Sequence, residues 1–442
     1  LLWIVEPFLV DPVRHGWMAP FALILMAGGL ALFWALGFAA ARGLARGLWL
    51  APALATTLTL AEYLRSTILT GFPWNLLAYG WLDTPVAQMS GLIGPHGLGF
   101  ATVLGVALVA LGWRGWPVWA AALMVLGGWS YGASTIPETA PDRATPFTVR
   151  LIQPNAPQAE KWTALGMRAQ YIRGLEASLA PGSFDAVIWP EAAVPQLVGE
   201  AERAFGGTLY RWADLTAASR GAPVVVGARR RSDQGDWFNT MAVVGPGGAL
   251  THSYDKHHLV PFGEYIPLAD LMPGLGLGGL ASTLSNLGGN MRAGPGPEIT
   301  RVEGLPPFVP MICYEAIFPA ALRPGGQRGE WLVHLTNDAW FGDWIGPYQH
   351  LAQARFRAIE QGVPVARAAN TGISAMIDPW GRITASLALG EAGFIDASLP
   401  AIAPDPPYGR TGDGPLLALL VSLGLGLAIL RWRFDSFSPA TK

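Results

Sequence analysis

The chain has 442 residues, 51% hydrophobic and only 14% charged, with a formal net charge of -2 and a mean hydropathy of +0.33. Soluble domains usually carry about 25% charged residues, so a wholly soluble protein is excluded. With pI ≈ 6.4 and no basic stripe or reader motif, so is nucleic-acid binding. One cysteine excludes an internal disulfide, and the 7 histidines, without CxxC or HExxH spacing, imply no metal and no cofactor.

Charge is nearly missing from 18–41, 48–69, 86–113, 116–131 and 415–430, whereas 140–408 has an ordinary globular composition. This pattern predicts membrane helices over 1–135, a catalytic-sized domain over 140–408, a closing membrane helix over 413–433 and a cytoplasmic tail over 434–442. The opening LLWIVEPFLV lacks an initiator methionine, a basic n-region and a small-residue cleavage site, so it reads as the end of a truncated helix and not as a signal peptide. The first three long apolar segments each suit about 30 Å of hydrocarbon. Glu62 and Arg65 lie three apart in the second, on one helix face, and the third is rich in glycines suited to close helix packing. The fourth is shorter and flanked by tryptophans, as at a membrane interface. Arg42 and Arg46, Arg114, and Arg431 and Arg433 all fall on one side if every segment crosses. The positive-inside rule makes that side cytoplasmic and puts 140–408 on the other, with Arg14 as an exception.

In the soluble region, FTVRLIQPN predicts a strand and AQYIRGLEASLA a helix. FDAVIWPEAAV predicts a buried strand ending at Glu191, and APVVVGARR another strand. NTMAVVGPGGALTHSYDK reads as a hairpin closed by Gly-Pro-Gly-Gly. VPMICYEAIF ends a strand at Cys313, and LVHLTNDAWFG repeats the design at Asn337 and Asp338. HLAQARFRAIEQG is an amphipathic helix, followed by a strand, turn and strand in VPVARAANTGISAMIDPWGRITASL. Alternating short elements predict a layered α/β domain, with polar groups where strands end and binding crevices form.

Three polar islands stand out: Cys313 in PMICYE, Glu191 in IWPEAAVP and Lys256 in YDKHHLVPFGEY. A thiol, a carboxylate and an ammonium together supply a nucleophile, a proton acceptor and a charge for an oxyanion. Each also has a plain structural reading: a small buried hydrophobe, a strand-end turn and a solvated surface charge. Lys256 precedes a largely apolar stretch with one carboxylate, Glu264, and a lysine near two carboxylates stays charged.

These segments resemble the nitrilase superfamily, and with membrane helices on both sides they resemble its bacterial apolipoprotein N-acyltransferase branch. The carrying motifs are WPEAAVP, YDKHHLVPFGEYIP and PMICYEAIFP, with QPNAPQAEKW, NTMAVV, LTNDAWFG, QARFRAIEQGVPVARAANTGISAMIDPWG and EYLRSTILTGFPWN alongside. The resemblance implies an αββα sandwich joined to a transmembrane bundle, and a catalytic triad of Glu191, Lys256 and Cys313. It implies supporting roles for Glu264, Tyr314, Glu315 and Asn239. It also implies about two helices before residue 1, and QPN stands where the family more often has QGN. The expected reaction moves the sn-1 acyl chain of a phospholipid, typically phosphatidylethanolamine, to Cys313 as a thioester. From there it passes to the α-amine of an S-diacylglyceryl-cysteine lipoprotein. A monomer in the bacterial inner membrane, with its catalytic domain facing the periplasm, is the expected setting.

Trp162 and Trp340 suit the wall of a lipid opening or plain packing. The apolar, glycine-rich stretch 268–289, with Leu275 and Leu277, suits a mobile arm at the membrane surface or a buried connector. Two other functions compete: a membrane-anchored nitrilase-type amidase acting on a small amide, and a transporter or lipid-binding protein with an inert soluble domain.

Overall fold

The computed structural model describes residues 1–194, 197–198, 211–267, 274, 290–319 and 322–437. It divides into two compact units, one of Leu1–Ala19, Ala140–Ala358 and Val363–Ala403, and one built from Pro20–Thr139, Ile359–Gly362 and the chain from Pro404.

The second unit is helical: α1 (Ala19–Leu44), α2 (Leu50–Thr67), α3 (Ser90–Gly112), α4 (Trp116–Thr135) and a closing helix, Gly414–Phe437. By length and composition, Pro12–Leu44, Pro85–Gly112 and Gly414–Arg433 can each cross a membrane. The sequence also suggested α2 and α4, which are not among these three. α2 dilutes its apolar run with threonines and the Glu62–Arg65 pair. That pair is buried at 3.7 Å, and Arg65 Nη1 also donates to the Phe72 carbonyl (2.9 Å) and Asn75 Oδ1 (2.6 Å), fixing the turn after the helix. α3 is broken at Gly94 (φ 72°, ψ 172°) just before Pro95, as expected where a proline pushes its predecessor out of helical geometry. Beyond the break, the His96 ring lies 3.2 Å from both Ser66 Oγ and Asp413 Oδ1.

The first unit holds two sheets. One runs β1 (Thr148–Gln153), β2 (Ala186–Ile188), β4 (Val224–Arg231), β5 (Trp237–Val244) and β6 (Leu250–Asp255) in that order, with β12 (Gly393–Ser398) outside β1 and β3 (Leu197–Val198) on β4. The other runs β7 (Phe308–Ile312), β8 (Trp331–Thr336), β9 (Val365–Ala369), β10 (Ser374–Ile377) and β11 (Ile383–Leu387). Each sheet contains a parallel trio, β1-β2-β4 and β7-β8-β9, continued by antiparallel neighbours. Parallel strands are covered on both faces and read as continuous apolar runs, and β2, β7, β8 and β9 are buried at every position. The hairpin predicted around Gly-Pro-Gly-Gly is β5–β6.

Helices α5 (Ala164–Leu179) and α6 (Trp212–Ala218) cover the outer face of the first sheet, where Tyr171, Trp212 and Leu215 pack on Val187, Val224 and Val226. Helix α7 (Gly346–Gln361) covers the second sheet through Leu351, Ala354 and Ala358. Strands β1 and β9 meet across the middle, so the layers run α-β-β-α. Gln153 crosses between the sheets, donating to the Ala388 carbonyl (2.7 Å) and accepting from Ser374 N (2.9 Å). Arg150 is wholly buried on β1, paired with Asp396 across the β1–β12 ladder at 2.6 and 2.7 Å. It also donates to the last carbonyls of α5. That contact satisfies orphan groups at a helix C-terminus, which explains an arginine inside an apolar strand.

The opening residues do not form a continuous helix. Leu2–Val5, Glu6–Leu9 and Pro12–His15 are short helical turns within the α/β unit, where Trp3 meets Phe341 edge-on at 4.9 Å. A cavity of about 180 Å³ lies there, lined by Leu2, Trp3, Val5, Glu6, Phe341, Trp344 and Ile345. The stretch 268–289, with Leu275 and Leu277, lies outside the described residues apart from residue 274, as does the end of the tail after 437.

Candidate active site

The site forms where the parallel trios end. Glu191 follows β2, Cys313 follows β7, and Asn337 follows β8, the edge at which parallel sheets open their crevices. β7 is apolar throughout and delivers Cys313 into a tight turn, Cys313–Ile317, with φ +48° at the cysteine. Left-handed backbone at a residue with a side chain is strained and persists only where its surroundings hold it. Two groups hold it here. The Glu315 carboxylate accepts from Ile312 N (2.7 Å) inside the turn, and from Tyr254 Oη (2.7 Å) and His257 N (2.8 Å) on the β6 side. Beneath the turn, the Cys313 carbonyl faces His334 Nε2 at 3.2 Å and His350 Nε2 at 3.1 Å.

The proton on His334 follows from its partners. Arg367 Nη1, which can only donate, lies 2.9 Å from Nδ1, so Nε2–H is the donor to Cys313. Arg367 also pairs with Asp338, which accepts from His350 Nδ1 (2.9 Å) and Thr336 Oγ1 (2.8 Å). Burial works against the Asp338 charge, but Arg367 and His350 outweigh it and hold its carboxyl well below the usual range. Gly372 approaches Asp338 so closely that a Cβ would lie 2.2 Å from Oδ2, so this position admits no side chain.

Glu191 is delivered by IWPE. Trp189 is fully buried against Gly174 of α5, and its indole donates to Ser178 Oγ at 3.1 Å. The Glu191 carboxylate accepts from Asn239 Nδ2 (2.7 Å) and Asn337 N (2.9 Å). Lys256 leaves the end of β6 with its Nζ 3.8 Å from Glu191 Oε1 and 2.9 Å from Glu264 Oε2. Asn239 also donates to Glu264 at 2.9 Å, so one amide spaces the two carboxylates around one ammonium. Burial disfavours the charge on Lys256, yet Glu264 and Glu191 overcome it and hold the amine protonated, above the ordinary lysine range. The Cys313 thiol is pushed up by burial and then by Glu191, while Lys256 draws it back. Cys313 therefore rests as a thiol beside Glu191.

The structure brings Glu191, Lys256, Cys313, Glu264, Asn239 and Glu315 into this one network. Tyr314 is buried beside it, edge-on to Phe318 at 5.3 Å. Trp162 and Trp340 are partly exposed, at 42% and 39%, and the Arg229 guanidinium lies 4.5 Å above the Trp162 ring. Sequence reasoning missed four participants: Lys161, whose Nζ donates to the Glu191 carbonyl at 3.1 Å, and the buried trio His334, His350 and Arg367. The only signal for His334 was a histidine inside an otherwise apolar strand.

The carbon-nitrogen hydrolase family model matches residues 148–402, which makes this unit a nitrilase-superfamily domain. The apolipoprotein N-acyltransferase N-terminal domain matches residues 1–108. The apolipoprotein N-acyltransferase of Rhodopseudomonas palustris is 38% identical over 98% of this chain and 83% of its own length. That of Caulobacter vibrioides is 36% identical over 100% and 85%. Among solved structures, a cysteine-to-alanine mutant of a Nesterenkonia AN1 nitrilase-superfamily amidase aligns with a TM-score of 0.42 and 18% identity, covering 63% of this chain and 98% of that one. The chain belongs to the apolipoprotein N-acyltransferase family, and it is a membrane-associated acyltransferase. These relatives do not favour the small-amide hydrolase alternative.

Proposed function

We propose that the chain transfers the sn-1 acyl chain of a phospholipid, with phosphatidylethanolamine the expected donor, to the α-amine of S-diacylglyceryl-cysteine lipoproteins by a ping-pong route through Cys313. The observation that carries this is the convergence of a buried thiol and a carboxylate, each following a parallel strand, with an ammonium from the end of β6 that is paired with Glu264 and Glu191. Glu191 takes the thiol proton as sulfur attacks the ester carbonyl. The oxyanion forms against Lys256 and the backbone N–H of Tyr314. Its collapse breaks the ester C–O bond, and Glu191 returns the proton to the departing lysophospholipid. In the second half the lipoprotein amine attacks the thioester, its proton passes to Glu191, and the C–S bond breaks to restore the thiol. Glu264 and Asn239 position Lys256 and Glu191, Glu315 and Tyr314 shape the nucleophile turn, and Trp162 and Trp340 line the way in for lipid.

The same reading assigns 1–135 and 413–433 to the membrane, 140–408 to a catalytic domain on the periplasmic side of the inner membrane, and 434–442 to a cytoplasmic tail, with the protein acting as a monomer. Tethering has a physical reason, because drawing an acyl chain into water costs about 0.8 kcal/mol per CH₂. Intact-mass measurement tests the reaction. Incubation with phosphatidylethanolamine should add one acyl mass at Cys313, and a diacylglyceryl-cysteine peptide should then remove it as an N-acylated product. No adduct, together with ammonia release from small amides, would defeat the proposal.

A further inference from the structure

Lys161 lies in the turn between β1 and α5, and with 1% of its surface exposed it is as buried as Lys256. An ammonium carries three donors. Among the described residues Lys161 makes one hydrogen bond, from Nζ to the Glu191 carbonyl at 3.1 Å, and no carboxylate lies within ion-pair distance. The Trp162 ring centroid is 5.8 Å from Nζ. Lys256, by contrast, is committed to Glu264 and Glu191. A buried charge with two uncommitted donors opposes stability, and a methionine would fill the same space without that penalty. The place of this charge is what distinguishes it. It holds the peptide of Glu191 itself, whose neighbour Ala192 has φ +47°, and it acts electrostatically on both Glu191 and Cys313.

We propose that Lys161 is a second cation of the acyl-transfer centre, fixing the Glu191 peptide with one N–H and giving another to the scissile carbonyl oxygen as it becomes an oxyanion. This rests on the acyl-transfer reading above. Lys161 remains an ammonium throughout. The S–C bond forms as the thiol proton passes to Glu191, and the oxyanion shares Lys161 and Lys256 until collapse expels the leaving oxygen, which takes the proton back from Glu191.

The two cations differ in how they meet rising pH. Burial pushes the Lys161 ammonium down to about 8, opposed chiefly by the charge of Glu191. Glu160 on its own turn is exposed, and the Arg229 guanidinium from β4 also lies over the Trp162 ring, 4.5 Å from its centroid. The Lys161 charge is present below that pH and lost above it, whereas Lys256 keeps its charge.

The test is single-turnover acylation of Cys313 in the full-length, detergent-solubilised protein by p-nitrophenyl butyrate, followed from about pH 6 to about pH 10. The wild-type rate should fall through a limb near pH 8. Lys161→Met should be slower by about 100-fold at neutral pH, the scale of a lost oxyanion donor, and should lack that limb. Lys161→Arg should recover much of the rate and hold it at alkaline pH. A Lys161→Met rate within about threefold of wild type, or an alkaline limb that survives the substitution, overturns the proposal. If the methionine variant does not fold, a wild-type rate that does not fall near pH 8, or an arginine variant with the wild-type limb, overturns it as well. Repeating the assay with phosphatidylethanolamine in mixed detergent micelles separates the two ideas. Acylation by the soluble ester but not by the phospholipid defeats the donor reading and leaves the Lys161 result intact.

Discussion

At the scale of single residues, each member of the Glu191, Lys256 and Cys313 network fails differently when changed. Cys313→Ala should form no acyl adduct. Glu191→Gln keeps an acceptor for Asn239 and a similar shape but cannot take the thiol proton, so it should fold normally and acylate slowly. Lys256→Met should lose about 100- to 1,000-fold at the chemical step if its charge faces the oxyanion. Single-turnover mass measurements on folded variants check all three, and a wild-type rate in any of them removes that residue from its role. His334→Leu tests the support beneath the turn. It removes the donor to a buried carbonyl, a loss of about 1–3 kcal/mol, and should lower denaturant stability and acylation together. These residues were unequally legible in the sequence. Glu191 and Cys313 each ended an apolar run and Lys256 preceded one, so the motifs announced them. Lys161 sits between Glu160 and Trp162 like any surface turn, and only the packing of that turn over Glu191 buries it. His334 and His350 come together because β8 and α7 both abut the Cys313 carbonyl, a relation with no trace in local spacing.

Between residues and the whole chain, the elements decide how tightly the site is held. β4 passes so near the WPE turn that a Cβ on Gly227 would lie 2.5 Å from Glu191 Cα and from the Pro190 oxygen. Gly227→Ala should therefore displace the general base, costing about 1–3 kcal/mol in stability and slowing acylation by p-nitrophenyl butyrate. Unchanged kinetics would show that the turn can move aside. The segment after β6 carries its own pH signature. His258 stacks on Phe318 at 4.1 Å, and burial followed by the neighbouring His257 pushes its imidazole down to about 4. An unfolded histidine takes up its proton near pH 6.5, so between those values the unfolded state binds more protons and stability must fall on acidification. Urea midpoints should drop from pH 7 to pH 5 more in wild type than in His258→Gln, and equal drops would refute the assignment. The strand pattern was largely visible beforehand, because apolar runs ended at polar groups and Gly-Pro-Gly-Gly marked the β5–β6 turn. The opening residues were not. LLWIVEPFLV is apolar enough to pass for a helix end, but prolines at 7 and 12 divide it into short turns.

For the whole molecule, the division of labour follows from where charge is tolerated. The α/β unit buries Arg150, Arg357, Arg367, Lys161 and Lys256 almost completely, which a sheet protein manages when strand ends and side chains supply partners. The apolar helices instead expose Phe21, Ile24, Leu25, Leu32 and Leu36 along α1, and Leu419, Val421, Leu425 and Ile429 along the closing helix. Such faces are unfavourable in water and ordinary in lipid, in keeping with the membrane association of this family. Orientation is a separate question, on which the arginines bear. Arg42 and Arg46 end α1, Arg114 separates α3 from α4, and Arg431 and Arg433 end the closing helix. If α1 to α4 and the closing helix all cross, these groups share one side, and short arginine-bearing loops are retained in the cytoplasm. The proposal therefore predicts opposite compartments for the start of the α/β domain and for the chain end. An alkaline phosphatase fusion after Ala144 should be active and a fluorescent-protein fusion after Lys442 should be bright. Matching compartments for the two would mean that one of the segments does not cross. α2 is the first to suspect, because its charged pair and threonines leave it the least apolar of the four early helices. Replacing Glu62 and Arg65 together with leucine should then restore the opposite arrangement, and no change would direct the search to α4.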